Sequence, residues 1–296
     1  MLQHTFQHIQ GIGEKTEKRL WKEGITSWLT FLNTPHHSSL PQWQRDVVCC
    51  ELEHSFLALE RHDARYFTER LAAQHLWRLY PEFGQRIAYL DIETTGSLSD
   101  TSRITVIGLY DGEQPRVYVQ GQDLLRFVED IASFTLLVTY NGKLFDLPFI
   151  RHELGIPLAQ AHIDLRYPLA ALGYKGGLKK IERTVGLERE GPLSLLDGWC
   201  AVLLWHYHEQ GVEGALETLL RYNLEDVVHL PALLSVVYNA RTQELPFHVS
   251  PMASPPTPPI SFTFNEAVIY RALAETGRWP ARQSERQSSL VFPQFS

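Results

Sequence analysis

Cysteine is scarce in this chain: Cys49, Cys50 and Cys200 are the three cysteines among 296 residues. Three cysteines at these spacings are too few for a disulfide framework or a zinc site, and adjacent cysteines rarely bridge each other. A reducing compartment is therefore expected. The chain also lacks any run of about eighteen apolar residues, and its opening segment, MLQHTFQHIQ, is too polar for a signal peptide. The sequence predicts a soluble, cytoplasmic protein without a membrane partner.

An excess of positive charge is also absent. The chain has 27 Lys and Arg against 34 Asp and Glu, which gives a formal net charge of −7 at pH 7. A protein that coats nucleic acid through bulk electrostatics needs clustered positive charge, so this class is excluded. Any contact with nucleic acid must be local, through a few basic residues, backbone amides or bound cations. The length and the 44% hydrophobic content suffice for two globular domains with ordinary cores.

The pattern of apolar residues changes near residue 80. Residues 1–80 show helical spacing and are predicted to form a small all-helical region. Residues 84–245 begin with short runs rich in Ile, Val and Tyr, which indicate a β-meander, and continue with alternating strands and helices, as in an α/β sheet. Residues 250–260 are proline-rich and predict an extended linker. In residues 261–296, Asn265 is expected to cap a short helix, and the rest of the tail is predicted to be disordered.

Two carboxylates stand at the end of the first predicted strand, in the segment LDIETTG. Asp91 and Glu93 are two residues apart, so both side chains leave the same face of the sheet. Burying two like charges side by side is costly unless a cation compensates, and oxygen ligands of this kind suit Mg²⁺ or Mn²⁺ rather than zinc. The alternative is a strand end with two solvated acids and a Thr-Thr-Gly turn.

Two more acids follow later in the chain. Asp146 ends the segment NGKLFD, after a predicted buried strand and at the start of a predicted helix. Asp226 ends the segment YNLED within a helical pattern, and Tyr222 precedes it by four residues, so both lie on one helix face. Each residue alone is ambiguous, because Asp146 could cap a helix, Tyr222 could pack in the core and Asp226 could be solvated.

Taken in order, the three segments resemble the three motifs of the DEDD exonucleases, a superfamily that includes proofreading exonucleases. The tyrosine four residues before Asp226 indicates the DEDDy branch, because the histidine branch would need His at position 221, where this chain has Arg. The segments AYLDIETTG, VTYNGKLFDLPFI, HIDLRYPLA and YNLEDVVHL are similar to those of YprB-type RNase H-like proteins. The resemblance covers about residues 86–240.

This resemblance implies a fold, an activity and a set of ligands. The fold would be α/β, an RNase H-like mixed sheet flanked by helices. The activity would be that of a 3′→5′ exonuclease that hydrolyses phosphodiester bonds with two divalent cations, Mg²⁺ or Mn²⁺. The implied metal ligands are Asp91, Glu93, Asp146 and Asp226, with Asp91 shared by both cations. The Tyr222 hydroxyl would orient the attacking water.

The resemblance and the local sequence also suggest contacts to the substrate. The predicted substrate-binding residues are Thr94, Thr95, Gly96, Asn141, Lys179 and Lys180. The first three follow the first pair of acids, where the family brings backbone and small side chains close to the terminal nucleotide. The asparagine stands where an amide that contacts the strand is expected. The two lysines begin a predicted helix after two glycines, a place suited to holding a phosphate. The alternatives are ordinary turn chemistry and a solvated helix start.

Near the N-terminus, the segment FQHIQGIGEKTEKRLWKEGI resembles a helix-hairpin-helix motif. Two short helices are predicted to flank a turn formed by Gly11, Ile12 and Gly13, with Lys15 beside it. In this motif the turn exposes backbone amides that hold a phosphate without reading the base sequence. Contact with DNA is therefore expected here. The alternative is a helical hairpin used for packing or for contact with a protein.

Together these features predict a two-domain exonuclease whose hairpin favours DNA, either single-stranded or at a 3′ end. An RNA exonuclease or an endonuclease of the same fold is the nearest alternative, because the metal site selects neither the sugar nor the end. From another class, the alternative is a catalytically silent module that binds nucleic acid or protein. The presence of all four acids argues against that module.

Overall fold

The computed structural model describes residues 1–99 and 101–277 of the chain. The strands are β1 (Ile87–Thr94), β2 (Ile104–Tyr110), β3 (Pro115–Val119), β4 (Leu136–Thr139) and β5 (Ala161–Asp164). The α-helices are α1 (Glu14–Lys22), α2 (Trp28–Asn33), α3 (Gln42–Glu60), α4 (Ala64–Thr68), α5 (Tyr80–Phe83), α6 (Arg126–Ile131), α7 (Asp146–Leu154), α8 (Arg166–Ala171), α9 (Leu178–Thr184), α10 (Gly198–Glu209), α11 (Ala215–Val228), α12 (Leu230–Gln243) and α13 (Glu266–Glu275). Short 3₁₀ helices occupy Leu2–His4, Pro35–His37, Ala73–Leu79, Gly84–Arg86 and Gly191–Leu195. The predicted disorder of the tail beyond residue 277 lies outside the described residues.

A five-stranded mixed sheet forms the centre of the α/β region, in the order β3-β2-β1-β4-β5. The first three strands are antiparallel neighbours, as predicted for a meander. β4 runs parallel to β1, and β5 runs parallel to β4. Helices flank the sheet, and a helical region precedes it. This arrangement confirms the predicted RNase H-like α/β fold class.

The two faces of the sheet are covered by different helices. Leu90 and Ile92 of β1 belong to a core shared with Phe127 of α6 and Phe149 of α7. The residues that alternate with them on β1 point to the opposite face, which α11 covers. The alternation therefore sets the acidic pair of β1 against α11, as the spacing in the sequence predicts.

The approach of α11 to the sheet depends on a glycine in β2. Gly108 is the register partner of Asp91 on the neighbouring strand. A Cβ atom at this glycine would lie 2.2 Å from Asn223 Oδ1 and 2.9 Å from Val227 Cγ2, both on α11. A side chain here would push α11 outward, so the glycine allows the close approach that brings the polar residues of α11 to β1.

The N-terminal helical region packs directly against the α/β region. No strand occurs in residues 1–80, which confirms the predicted helical region. One hydrophobic core joins Leu20 and Trp28 of this region to Ile163 of β5 and Leu233 of α12. α4 and the 3₁₀ helix that follows it lie against the edge strand β5. The core is therefore continuous across the boundary that the sequence predicts between residues 80 and 84.

The prediction of a first helix in the N-terminal hairpin is wrong. Residues 5–10 form turns, and α1, the second predicted helix, is present. The segment is instead tied to the buried carboxylate of Glu17 on α1. It accepts hydrogen bonds from Thr5 Oγ1 (2.6 Å), the Phe6 amide (2.7 Å) and the Gln7 side chain (2.5 Å). These bonds hold the segment against α1 in a turn conformation.

The proline-rich segment 250–260 has no regular secondary structure, and it is anchored to the α/β region. Asn239 of α12 forms two hydrogen bonds with the backbone of Met252 (2.7 and 2.9 Å). Arg221 of α11 donates to two carbonyl groups further along (3.3 Å each). α13 then begins at the predicted cap, Asn265, and packs against α10 and α11. Among the described residues, no helix combines the length and the apolar character needed to span a bilayer.

Candidate metal centre and active site

The predicted carboxylates and Tyr222 line one cleft of about 600 Å³. Asp91 and Glu93 come from the carboxyl end of β1. Asp146 is the first residue of α7. Tyr222 and Asp226 lie about one turn apart on α11. Folding therefore assembles in one place acids that are widely separated in the sequence.

Three of the acids are close enough to share a cation. Asp91, Glu93 and Asp226 each offer a carboxylate oxygen, and these oxygens lie within 4.8 Å of one another. An all-oxygen, all-carboxylate set suits a hard divalent cation such as Mg²⁺ or Mn²⁺ and is a poor set for zinc. The chemistry and spacing of these side chains therefore fit the predicted cofactor.

Asp146 stands beside this group and outside it. Its side chain is 3% exposed, and its Oδ1 accepts a hydrogen bond of 3.2 Å from the backbone amide of Ile92, between the two acids of β1. The pairing of β1 with β2 shifts register between Glu93 and Thr94, at the same place. Irregular pairing of this kind can turn side chains at the end of a strand towards a site.

Burial and the neighbouring carboxylates raise the pKa of Asp91, Glu93 and Asp146. Burial, followed by the nearby Asp226, raises the pKa of Asp91 well above its ordinary range, and the same causes raise the pKa of Glu93. Burial also raises the pKa of Asp146 from 3.8 to about 7, although the Ile92 amide opposes it. A bound cation would favour the charged forms of all of them.

These shifts predict how the stability of the metal-free protein depends on pH. A carboxyl group with a higher pKa in the folded state binds its proton more tightly there, so stability is lost as pH rises between the two pKa values. For Asp146 the window runs from 3.8 to about 7. We expect denaturation in EDTA to give a lower free energy of unfolding at pH 8 than at pH 5. Asp146→Asn should lessen the loss by an amount on the order of a few kcal/mol. If the free energy of unfolding of this variant falls by as much as that of wild type between pH 5 and pH 8, the raised pKa of Asp146 is contradicted.

Arg189, which the sequence analysis does not single out, lies against the cluster of Asp91, Glu93 and Asp226, the metal group. Arg189 Nη2 donates to Asp226 Oδ1. The same guanidinium makes a two-point contact with Glu182, with both N–O distances at 2.7 Å. Glu182 in turn lies 3.0 Å from His229 Nδ1. The four side chains that make these contacts are between 1% and 10% exposed. Buried groups of the protein therefore hold Asp226 in place.

The hydroxyl of Tyr222 is held by Lys179. The Lys179 ammonium donates to Tyr222 Oη (3.1 Å) and to the carbonyl of Leu196, and lies 4.2 Å from the centre of the tyrosine ring. Burial, followed by Asp226 and Glu93, raises the pKa of Tyr222 well above its usual range, so the phenol keeps its proton at neutral pH. Because the lysine occupies an acceptor position of the oxygen, the hydroxyl proton is available to an acceptor in the cleft.

The structure divides the predicted substrate-binding residues. Thr94, Gly96 and Asn141 line the cleft. Thr95 is exposed and outside the lining, and its Oγ1 accepts from the Arg103 amide (2.9 Å). The two predicted lysines are also outside the lining: Lys179 is engaged with Tyr222, and Lys180 is exposed.

The loop that carries Asn141 is held by a carboxylate beneath it. Asp164 accepts hydrogen bonds from the backbone amides of Asn141 (2.8 Å), Lys143 (3.1 Å) and Arg166 (3.0 Å). Asn141 has a φ of 70°, in the left-handed region, which is uncommon for residues other than glycine. Its side-chain oxygen accepts from the Arg166 guanidinium, which also lines the cleft. Asn141 of this loop and Arg166 of α8 thus bring an amide and a positive charge to the cleft.

The sequence reasoning also missed Trp199 and the role of Asn223. Trp199, near the start of α10, lines the cleft and is 58% exposed, which is unusual for so large an apolar side chain. Asn223 Nδ2 donates to Asp91 Oδ2 at 2.9 Å and so fixes that carboxylate. The asparagine lies in the YNLED segment, and its place between Tyr222 and Asp226 could have pointed to it. Nothing in the sequence near position 199 distinguishes the tryptophan from a core residue.

The two glycines of the N-terminal turn are exposed, and the turn lines a depression that shares no residue with the cleft of the acids. Gly11 has a φ of +87°, and Gly13 is the N-cap of α1. Ile12 between them is 3% exposed and packs in the core, and Lys15 is exposed. The first amides of α1 have no carbonyl partner within the helix, so they are available to an acceptor outside it.

Comparison with known proteins agrees with this fold. A family model described as the RNase H superfamily matches residues 88–238, slightly more than half of the 296 residues. The chain therefore belongs to the RNase H superfamily. Members of this superfamily are usually metal-dependent phosphodiesterases, and the fold implies a nucleic-acid substrate. The matched range contains every acid of the cleft.

Solved structures include a distant match. The family B DNA polymerase of the hyperthermophilic archaeon Pyrobaculum calidifontis aligns with 20% sequence identity and a TM-score of 0.41. The alignment covers 52% of this chain and 25% of the polymerase chain. A search of curated proteins gave no significant match.

Proposed function

We propose that this protein is a two-metal-ion exonuclease that removes nucleotides from the 3′ end of DNA. The observation that carries the proposal is the convergence of Asp91, Glu93 and Asp226 to within 4.8 Å in a cleft that also contains Asp146 and the Tyr222 hydroxyl. When bound, divalent cations would supply an activated water and stabilise the leaving oxygen of a phosphodiester. Asp91, Glu93, Asp146 and Asp226 would hold them.

The protein's own groups prepare the cleft for this chemistry. Asn223 fixes the Asp91 carboxylate through its 2.9 Å hydrogen bond. The Tyr222 hydroxyl keeps its proton and, with Lys179 donating to its oxygen, can orient a water in the cleft. No lysine or histidine is required as a general base in this scheme.

The rim of the cleft has groups suited to a polynucleotide. Arg166 and Asn141 present a positive charge and an amide, which suit the sugar-phosphate backbone. Thr94 and Gly96 leave room for a terminal nucleotide to approach β1. Trp199 offers an exposed aromatic face on which a base can stack without regard to its identity. These features support a single-stranded 3′ end as the substrate.

The N-terminal turn supports DNA as the polymer. Gly11, Gly13 and Lys15 are exposed at this turn, while Ile12 is buried and its amide donates to the Ile9 carbonyl (3.0 Å). The groups available to a phosphate are the first amides of α1 and the Lys15 ammonium. Gly13 is the better residue to change, because its φ of −93° suits any residue and a Cβ atom there meets nothing within 4 Å. We expect Gly13→Val to weaken binding to a long DNA strand about tenfold by blocking the amides, as for loss of a phosphate contact. Hydrolysis of very short oligonucleotides should be unchanged. Fluorescence anisotropy at fixed salt measures the binding. Unchanged affinity in the folded variant would assign the turn to packing or to a protein partner.

Cleavage polarity tests the proposed function. A DNA strand labelled at its 5′ end and incubated with the protein and Mn²⁺ should shorten one nucleotide at a time. Discrete internal fragments would indicate an endonuclease instead, and faster degradation of the matching RNA strand would indicate an RNA exonuclease. Absence of hydrolysis from every strand with both Mg²⁺ and Mn²⁺ would support a catalytically silent module.

A further inference from the structure

Asp226 is the one acid of the metal group that already has a buried cationic partner among the described residues. Arg189 donates to one of its two carboxylate oxygens, and the arginine side chain is 2% exposed. The arginine lies outside the motifs that define the site in the sequence. We propose that Arg189 is a positioning residue that fixes the orientation of Asp226 and places a permanent positive charge in the acidic cluster, which weakens cation binding there. The inference rests on the proposed function, because it takes Asp226 as a metal ligand.

The anchoring of Arg189 explains why it can hold Asp226 in one orientation. Its Nε and Nη2 atoms contact the two oxygens of Glu182 at 2.7 Å each, a planar two-point contact that fixes the guanidinium. Glu182 is fixed in turn by His229 (3.0 Å). With one oxygen of Asp226 engaged by this rigid group, the carboxylate has lost most of its rotational freedom. A lysine could supply the charge at this place but not the fork of donors.

The charge of Arg189 has a separate effect. An arginine side chain stays protonated in proteins, so its positive charge is permanent. In the metal-free protein it compensates for one acid of the cluster. A divalent cation bound at the cluster would be repelled by the same charge. A single and a double positive charge about 6 Å apart repel enough to change an equilibrium constant about tenfold even at the dielectric constant of water, and by more in a buried site.

Two substitutions separate the charge from the geometry. Arg189→Gln removes the charge and keeps an amide that can donate to Asp226 or Glu182. Arg189→Lys keeps the charge and removes the fork. Arg221→Gln is the matched control, because Arg221 is an arginine of α11 that also pairs with two carboxylates, Glu190 (2.7 Å) and Glu225 (3.2 Å), neither of which is a proposed metal ligand.

The measurement is a calorimetric titration with Mn²⁺ alone, without nucleic acid, on variants whose folding has been checked by circular dichroism. Arg189→Gln is expected to bind Mn²⁺ at least about tenfold more tightly than wild type. Arg189→Lys should bind it within about threefold of wild type and should turn over substrate at least about tenfold more slowly, because a lysine without the two-point contact to Glu182 no longer fixes the donor to Asp226. The control should match wild type in both. A merely structural arginine would not tighten cation binding when removed.

Equal Mn²⁺ affinity in the wild type and Arg189→Gln would overturn the claim that the charge of Arg189 weakens cation binding. If Arg189→Gln does not fold, Arg189→Lys still tests whether Arg189 positions Asp226. Turnover at the wild-type rate in Arg189→Lys would overturn that positioning role. These outcomes contradict this inference and leave the proposed function standing. Failure of the wild-type protein to bind Mn²⁺ would contradict the proposed function, and this inference with it.

Discussion

Asp91→Asn is expected to reduce hydrolysis by a factor on the order of a thousand or more, because the change removes a charged ligand from the centre of the metal group. The amide has the same shape as the carboxylate, and its oxygen can still accept the hydrogen bond from Asn223. The fold should therefore remain intact. Initial rates with a labelled oligonucleotide and saturating Mn²⁺ measure the effect, and Asp226→Ala should behave in the same way.

The same substitution should stabilise the protein when metal is absent. Asp91 is half-buried, and desolvation together with the neighbouring carboxylates raises its pKa, so a neutral side chain relieves repulsion. We expect a higher Tm in EDTA for Asp91→Asn than for wild type, and a smaller gain in Tm when Mn²⁺ is added. Asp46→Asn, which removes an exposed charge from α3, is the control and should change neither activity nor Tm. Wild-type turnover in Asp91→Asn would contradict the assignment of the site.

Tyr222→Phe is expected to lower kcat by about ten- to a hundredfold, which is smaller than the effect of losing a metal ligand. The hydroxyl is proposed to orient a water and to bind no metal, so its loss removes positioning only. The ring can keep its contact with the Lys179 ammonium, 4.2 Å from its centre, and the fold should not change. Single-turnover rates at saturating Mn²⁺ measure the effect, and calorimetry should give an unchanged affinity for Mn²⁺.

Tyr118→Phe is the matched control for the hydroxyl. That tyrosine is also buried, but its hydroxyl donates to Asp130 (2.7 Å) outside the cleft. We expect turnover at the wild-type rate in this control. If Tyr222→Phe also hydrolyses substrate at the wild-type rate, Tyr222 is a packing residue and the DEDDy assignment fails, although the carboxylate site could still stand.

Local patterns in the sequence were enough to predict the sheet and the acids. The meander could be read because β1, β2 and β3 are rich in β-branched and aromatic residues and are separated by turn residues. The pair Asp91 and Glu93 could be placed on one face because side chains alternate along a strand. The four-residue spacing of Tyr222 and Asp226 placed them on one helix face in the same way. β5 (AHID) gives no such pattern, because two of its four residues are His and Asp, whereas the equally short β4 (LLVT) could be predicted from its apolar run.

Long-range pairing explains what the sequence did not predict. Arg189, Glu182 and His229 give no local signal, and their chain of contacts exists only because α9, the loop after it and α11 meet at the site. The same holds at the N-terminus, where the spacing of residues gave Glu17 no special place. In the folded protein this glutamate is fully buried and accepts hydrogen bonds from the segment for which the first helix is predicted. Buried polar groups find partners across the chain, and periodicity carries no information about those partners.

The most direct test of the proposed active site is restoration of activity by a divalent cation after chelation. Purified protein treated with EDTA and dialysed should leave a 3′-labelled DNA strand intact, and added Mn²⁺ should restore the release of labelled mononucleotide. Asp91→Asn prepared alongside should release none under either condition. Two results would contradict a metal-dependent phosphodiesterase centred on Asp91, Glu93 and Asp226. One is hydrolysis by the chelated wild type at the rate seen with Mn²⁺, and the other is hydrolysis by Asp91→Asn at the wild-type rate.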